Sequence, residues 1–204
     1  MEEVTLAGQN MEYAERAVIM LHGRGADAHS ILTLKEVLGL EEYALLAPQA
    51  PDHTWYPYSF MAPEKENEPY LSRSLATIDR IVHGVMEAGK ESERIYFVGF
   101  SQGACLCLDY VARHARRYGG VVAFTGGLIG EDLKESKYKG EFDNTPVFIG
   151  ASHRDVHVPL ARIKASAALL EDMGADVKTM IFEDTLHTIR REEVDWVKKN
   201  ILKS

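Results

Sequence analysis

Residues 94–107 read RIYFVGFSQGACLC, an apolar run of strand character that passes through Gly99-Phe100-Ser101-Gln102-Gly103 into a run of helix character. A G-x-S-x-G in that setting predicts a strand ending at Val98, a sharp turn at Ser101 and a helix from about Gln102. Such an elbow lifts a serine hydroxyl above the end of a sheet. Gly99 and Gly103 leave room where the strand and helix backbones pass closely and a Cβ would collide. A bare pentapeptide fits a buried serine in a tight junction equally well, so the flanking chain has to decide.

Upstream, Ala17-Val18-Ile19-Met20-Leu21 is continuously apolar, as expected of a strand buried on both faces, and it runs into His22-Gly23-Arg24-Gly25-Ala26. A glycine-rich turn directly after a central strand exposes backbone N–H groups and is a candidate oxyanion cradle. Asp27 or Ser30 is placed to cap a helix through about Leu40, and Tyr43–Ala47 reads as the next buried strand, stopped by Pro48 and Pro51. Val4–Ala14 alternates weakly, predicting one or two short strands at a sheet edge. Leu71, Leu75, Ile78, Ile81, Val82, Val85 and Met86 predict a long amphipathic helix ending at Gly89.

Downstream, the elbow helix is expected to reach about Arg117, followed by a strand at Val121–Phe124 and a polar surface excursion over Glu131–Asn144. Pro146–Ile149 is another buried strand, Pro159–Met173 a helix, Val177–Phe182 the last strand, and Val194, Trp196, Val197 and Ile201 mark a final amphipathic helix. Strands alternating with helices imply an α/β fold with a mainly parallel central sheet flanked by helices, and 204 residues fit a single domain, 1–204.

Composition excludes some partners. Lys and Arg number 23 against 31 Asp and Glu, giving −8 with no basic block, so nucleic acid and anionic membranes find no electrostatic support. No apolar run approaches the length of a membrane span, and the acidic start MEEVTLAGQNMEYAE lacks the layout of a signal peptide. Cys105 and Cys107, two apart on a predicted helix, cannot pair with each other. A reducing, cytoplasmic location is expected.

In sheets of this kind active groups gather outside the carboxyl ends of the strands. Ser101, Asp155 and His187 fall there in chain order, and the types fit acyl transfer. A serine needs a histidine to take its proton, and the histidine needs a carboxylate to fix its tautomer. His187 is the sole histidine after the last strand; Asp184 is a rival acid, disfavoured because it shares the short loop of the base. His22 is expected to order the glycine turn. The N–H of Gln102, at the helix start, and that of Arg24, in the turn, are the candidate oxyanion donors. The aperiodic stretch Asp52–Pro69 carries Trp55, Tyr56, Tyr58, Phe60 and Met61 and reads as a wall or flap over the site, the alternative being aromatics that pack the loop on the core.

These residues resemble the phospholipase/carboxylesterase family of α/β-hydrolases, which also holds the acyl-protein thioesterases. The resemblance runs through Leu21-His22-Gly23, Ala47-Pro48, GFSQG with Ala104, Gly126-Gly127-Leu128, Asp155 with Val158-Pro159, and His187. It implies that Ser101 is the nucleophile, Asp155 and His187 its partners, and Arg24 and Gln102 the oxyanion donors. The turn His22-Gly23-Arg24-Gly25-Ala26 and the segment Ser152-His153-Arg154-Asp155 depart from the eukaryotic thioesterase pattern and are similar to a bacterial carboxylesterase branch.

No insertion large enough for a cap domain separates the strands near Val121 and Val147, so an open cleft bordered by Trp55, Tyr56, Met61, Leu128 and Ile129 is expected to take small or short-chain acyl esters. No cofactor and no metal is required; the partner is a small-molecule ester, and a homodimer is compatible with the sequence. Acyl thioesters and lysophospholipids are the alternatives on the same triad. From other classes come a metal-dependent hydrolase using His153, Asp155 and His157, which would share one face of an extended segment, and a non-catalytic binding protein on the same scaffold.

Overall fold

The continuous apolar runs assemble into one sheet because each can bury both of its faces only between layers of helices. The computed structural model describes residues 3–202; Met1, Glu2, Lys203 and Ser204, which the expected domain includes, lie outside the described residues. The strands are β1 (Val4–Gly8), β2 (Ala17–Leu21), β3 (Ala44–Pro48), β4 (Ile95–Phe100), β5 (Gly120–Phe124), β6 (Pro146–Ser152) and β7 (Asp176–Phe182). Their spatial order is β1-β3-β2-β4-β5-β6-β7, parallel except where β1 runs against β3 at one edge. Register aligns Leu21 with Gly99 and Phe100 with Phe124, so the carboxyl ends of the central strands lie level.

The helices are α1 (Ala28–Leu32), α2 (Leu34–Leu38), α3 (Glu64–Asn67), α4 (Tyr70–Glu87), α5 (Gln102–Arg113), α6 (Leu160–Asp172) and α7 (Arg191–Asn200). Alternate strand residues feed two cores. Ile19, Leu21, Phe97, Val121 and Ile149 pack with α4, α5 and α6, whereas Val18, Met20, Val98, Val122 and Phe148 pack with α1, α2 and α7. This is the α/β-hydrolase architecture that the sequence suggests. No helix among the described residues is long and apolar enough to cross a membrane.

Several boundaries differ from expectation for local reasons. The single helix expected through Leu40 is two, because the Thr33 hydroxyl bonds the Ser30 carbonyl at the junction and Gly39, at φ 69°, ends the second. Helix α5 stops at Arg113, since Ala115 N–H turns to the Lys139 carbonyl instead. The stretch Asp52–Pro69 is not structureless: it holds a 3-10 turn at Pro51–His53 and helix α3.

Glu131–Asn144 is the surface excursion expected, most of its residues being exposed, but it is anchored to the body of the protein at a few points. Tyr138 and Phe142 are buried. Lys137 reaches Asp109, whose fully buried carboxylate also takes Arg113 Nε at 2.6 Å, and both cations meet Glu64. Burial works against ionisation of Glu64, but the Lys137 and Arg113 bonds outweigh it and lower its pKa. Lys137 is therefore the partner of charges on α3 and α5, a relation that periodicity does not encode.

Glu193 is buried without full compensation. Its Oε2 accepts the Arg190 N–H at 2.7 Å, its Oε1 has no hydrogen-bond partner among the described residues, and burial pushes its pKa from 4.5 up to about 7. The native state holds this proton where the unfolded chain has released it, so stability is full below the unfolded value and falls as pH rises from about 4.5 through 7. In urea titrations between pH 5 and 8, wild type should lose roughly 2–3 kcal/mol relative to Glu193→Gln over the same interval. Parallel pH dependences would show that Glu193 ionises freely in the fold.

Candidate active site

Ser101 joins β4 to α5 at φ 54° and ψ −117°, a backbone region that a non-glycine residue occupies only under constraint. A Cβ on Gly103 would lie 2.1 Å from the Leu21 carbonyl oxygen, and one on Gly99 would lie 2.6 Å from the Gly103 backbone. The Ser101 N–H is meanwhile fixed on the Phe124 carbonyl at 2.9 Å. The turn thus projects the side chain from the carboxyl edge of the sheet.

Loops after β6 and β7 bring the other two groups to it. His187 Nε2 lies 2.8 Å from Ser101 Oγ, and His187 Nδ1 lies 2.7 Å from Asp155 Oδ2. Asp155 Oδ1 accepts the N–H groups of His157 at 2.7 Å and Val158 at 3.3 Å, leaving Oδ2 for the imidazole. A neutral ring so held carries its proton on Nδ1 and offers Nε2 to the serine hydroxyl. Phe100 and His157 pack against the His187 ring at centroid distances of 5.3 and 5.0 Å. Asp184, the rival acid, turns away: its Oδ1 accepts the Leu186 N–H, Ser152 Oγ and Arg190, and these bonds, the Leu186 N–H foremost, lower its pKa.

The glycine turn adjoins this group, since a methyl on Gly23 would stand 3.5 Å from Ser101 Cβ. His22 is fully buried and orders the turn: its Nδ1–H donates to the Gly23 carbonyl, and its Nε2 accepts the Ala50 N–H at 3.1 Å. Burial lowers its pKa, which suits that neutral tautomer. Gly25 N–H goes to His53 and Ala26 N–H to Gly23, so the Arg24 N–H stays outside the backbone bonding of the turn among the described residues. The Gln102 N–H, in the first turn of α5, has no intrahelical acceptor by the geometry of a helix start.

Side chains missed in the sequence build the wall. Gln102 accepts the Trp55 N–H at 3.0 Å and donates to the Tyr56 carbonyl at 2.8 Å. The Arg24 guanidinium donates to Thr54 Oγ1 and to the Pro57 and Tyr58 carbonyls, so its side chain is a fastener for this stretch. Buried Asn67 accepts the Tyr58 N–H and donates to the Ser59 carbonyl, and Ser74 bonds the Trp55 carbonyl. Ser74 among the apolar positions of α4 is the one sequence signal that could have announced them.

The resulting cleft, about 730 Å³, is lined by Tyr56, Tyr58, Phe60, Phe100, Val156 and His157 beside Ser101 and His187. Of the expected substrate contacts only Tyr56 lies in it. Trp55 is buried behind the wall, its indole N–H on the His22 carbonyl. Met61 faces a different groove, beside α6. Leu128 and Ile129 are fully buried because Ser166 and Arg162 of α6 draw the Leu128–Gly130 backbone inward. The metal alternative does not assemble: residues 153–158 form a turn rather than an extended segment, so His153 pairs with Glu183, Asp155 with His187, and His157 packs on the His187 ring. Among the described residues no group of three or more potential ligands converges.

Comparison with known proteins bears on the family and the fold. The sequence profile of the family described as Phospholipase/Carboxylesterase matches residues 8–204. A crystal structure of a phospholipase/carboxylesterase from Dyadobacter fermentans superposes with a TM-score of 0.98 at 47% identity, covering 100% of this chain and 97% of that one. A probable carboxylesterase SOBER1-like protein of Arabidopsis thaliana is 22% identical over 98% of this chain and 85% of its own length. An acyl-protein thioesterase 1 of Gibberella zeae is 24% identical over 89% of this chain and 87% of its own.

The wall supplies a test that spares the main chain. Gln102→Ala keeps the Gln102-position N–H but strips the buried Trp55 N–H of its partner and leaves the Tyr56 carbonyl only the Thr54 hydroxyl, and should cost about 2 kcal/mol in urea unfolding. A change below about 0.5 kcal/mol would mean that the wall stands without this carboxamide.

Proposed function

The chain belongs to the phospholipase/carboxylesterase family, and from that premise we propose a serine carboxylesterase that hydrolyses small or short-chain acyl esters through an acyl-enzyme. The observation that carries the reading is the hydrogen-bonded series from Ser101 through His187 to Asp155, 2.8 and 2.7 Å long, on a constrained elbow. Ser101 Oγ attacks the ester carbonyl while His187 Nε2 takes its proton. Asp155 holds the ring and stabilises the imidazolium, and the N–H groups of Arg24 and Gln102 receive the oxyanion. His187 then protonates the leaving alcohol, and water repeats the sequence to release the acid.

An open cleft with aromatic walls supports modest acyl groups. A second reading, a longer acyl thioester or a lysophospholipid, draws on the apolar rim, where Val156 is 85% and Tyr58 59% exposed. The reading treats the chain as one domain working in the cytoplasm, in keeping with two buried free cysteines.

A p-nitrophenyl acyl series should show turnover that falls on the order of 10⁴-fold or more in Ser101→Ala. A fluorophosphonate should add once, at Ser101, by intact mass. Preference for short chains supports the first reading; a marked rise with chain length, or faster acyl-thioester cleavage, supports the second. Activity that survives in Ser101→Ala would discard both.

A further inference from the structure

The imidazole of His187 has to be held to a fraction of an ångström, yet it sits on a loop with little to hold it. Among the described residues, Thr185–Ile189 form no backbone–backbone hydrogen bond. What ties the loop down is a cluster of side chains outside the triad. Arg190 Nη2 donates to Ser152 Oγ at 2.7 Å and to Asp184 Oδ1 at 2.6 Å, and approaches the Leu186 carbonyl at 3.3 Å. Its Nη1 lies 3.5 Å from the Thr188 carbonyl. The Leu186 N–H is on Asp184 Oδ1 at 2.9 Å, and the Leu186 carbonyl is in reach of the Ser152 hydroxyl.

The guanidinium therefore grips both residues that flank His187. Arg190 is itself well anchored: its side chain is only 11% exposed, its Cζ lies 4.3 Å above the Phe182 ring, and its main-chain N–H is fixed on buried Glu193. Ser152 belongs to β6 and Phe182 to β7, so the grip refers the loop to the rigid sheet. A lysine in this place would bring one nitrogen to a site that spreads its donors over a planar fork.

We propose that Arg190 is a positioning residue for the general base: through Ser152, Asp184 and the carbonyls on either side of His187 it keeps the imidazole in line with Ser101 and Asp155. The inference rests on the serine esterase reading. It separates the two carboxylates of the region, Asp155 orienting the ring directly and Asp184 orienting the loop through Arg190.

The test compares wild type with Arg190→Ala and Arg190→Lys, assayed at a temperature where circular dichroism shows each folded. Arg190→Ala should lose on the order of 10²-fold in kcat with KM within about twofold, since a misplaced base slows chemistry without emptying the cleft. The rate of fluorophosphonate labelling should fall in parallel. Methylguanidinium added to Arg190→Ala should recover part of the lost kcat and leave wild type unchanged. Arg190→Lys should lie between the two, and it decides alone where Arg190→Ala does not fold. The downfield His187 Nδ1 proton resonance, sharp in wild type, should broaden or vanish in the variants.

A kcat within twofold of wild type in the folded variants, a loss that methylguanidinium does not touch, or a retained Nδ1 resonance would each overturn the proposal. If wild type itself neither turns over esters nor takes the label, the esterase reading fails, and the resonance still decides whether Arg190 positions His187.

Discussion

Ser101 occupies a backbone conformation that it would leave if its neighbours allowed. Costs of order 1–3 kcal/mol attach to such positions, and they persist only where packing over-determines them. Here α5 presses so closely on β2 and β4 that Gly103 backs onto the Leu21 carbonyl and Gly99 onto Gly103, while Gly126 of the next loop would put a Cβ 2.6 Å from that of Ala104. The parallel sheet is what makes this pressure sustainable. With Leu21, Gly99 and Ala123 in register, three central strands end together and define one plane above which the serine stands.

A rigidly held Ser101, the proposed nucleophile, sets the terms for everything brought to it. Asp155 and His187 arrive on separate loops: the first continues the β6–β7 pairing through the His153 and Arg154 N–H groups, whereas the second is fastened by polar side chains. Asp155 uses one carboxylate oxygen on its own turn and the other on the imidazole; the His187 loop relies on Ser152, Asp184 and Arg190. The facing wall follows the same plan, with Gln102, Arg24 and Asn67 holding the carbonyls and N–H groups of residues 55–59. Loops that must be irregular to line a cleft still have to satisfy their backbone groups, and side-chain amides and guanidinia are the means used here.

That division explains what could be read in advance. The strand runs from Ala17 and Ile95 onward, the elbow and the chain order of Ser101, Asp155 and His187 are local signals, since burial on two faces and a strained turn each demand particular residues at short spacing. The cleft lining is a different kind of fact. Trp55, Leu128 and Ile129 are apolar and lie on loops that follow the carboxyl ends of strands, and the same character that suggested substrate contact draws them into the core once Ser74, Ser166 and Arg162 secure their backbone. Likewise Lys137 reads as a surface lysine until Asp109, 28 residues earlier on a helix that is otherwise core, is seen to need it. Pairings of this kind join distant stretches and leave no period behind.

The consequence for the chemistry is a separation of roles within one small region. Sheet and elbow fix Ser101 through backbone contacts of Gly99, Gly103 and Leu21 and through the Ser101 N–H on the Phe124 carbonyl. Gln102 couples the elbow to the wall: its main chain stands at the helix start beside Ser101, and its carboxamide holds the wall at Trp55 and Tyr56. A shift of the wall is therefore felt at the start of α5, where the oxyanion would be received, before it is felt at Ser101 Oγ. On the proposed esterase reading, substrates that press on Tyr56 and Tyr58 would act on the Gln102 N–H rather than on Ser101, which would tie the fit of the acyl group to the stabilisation of the transition state.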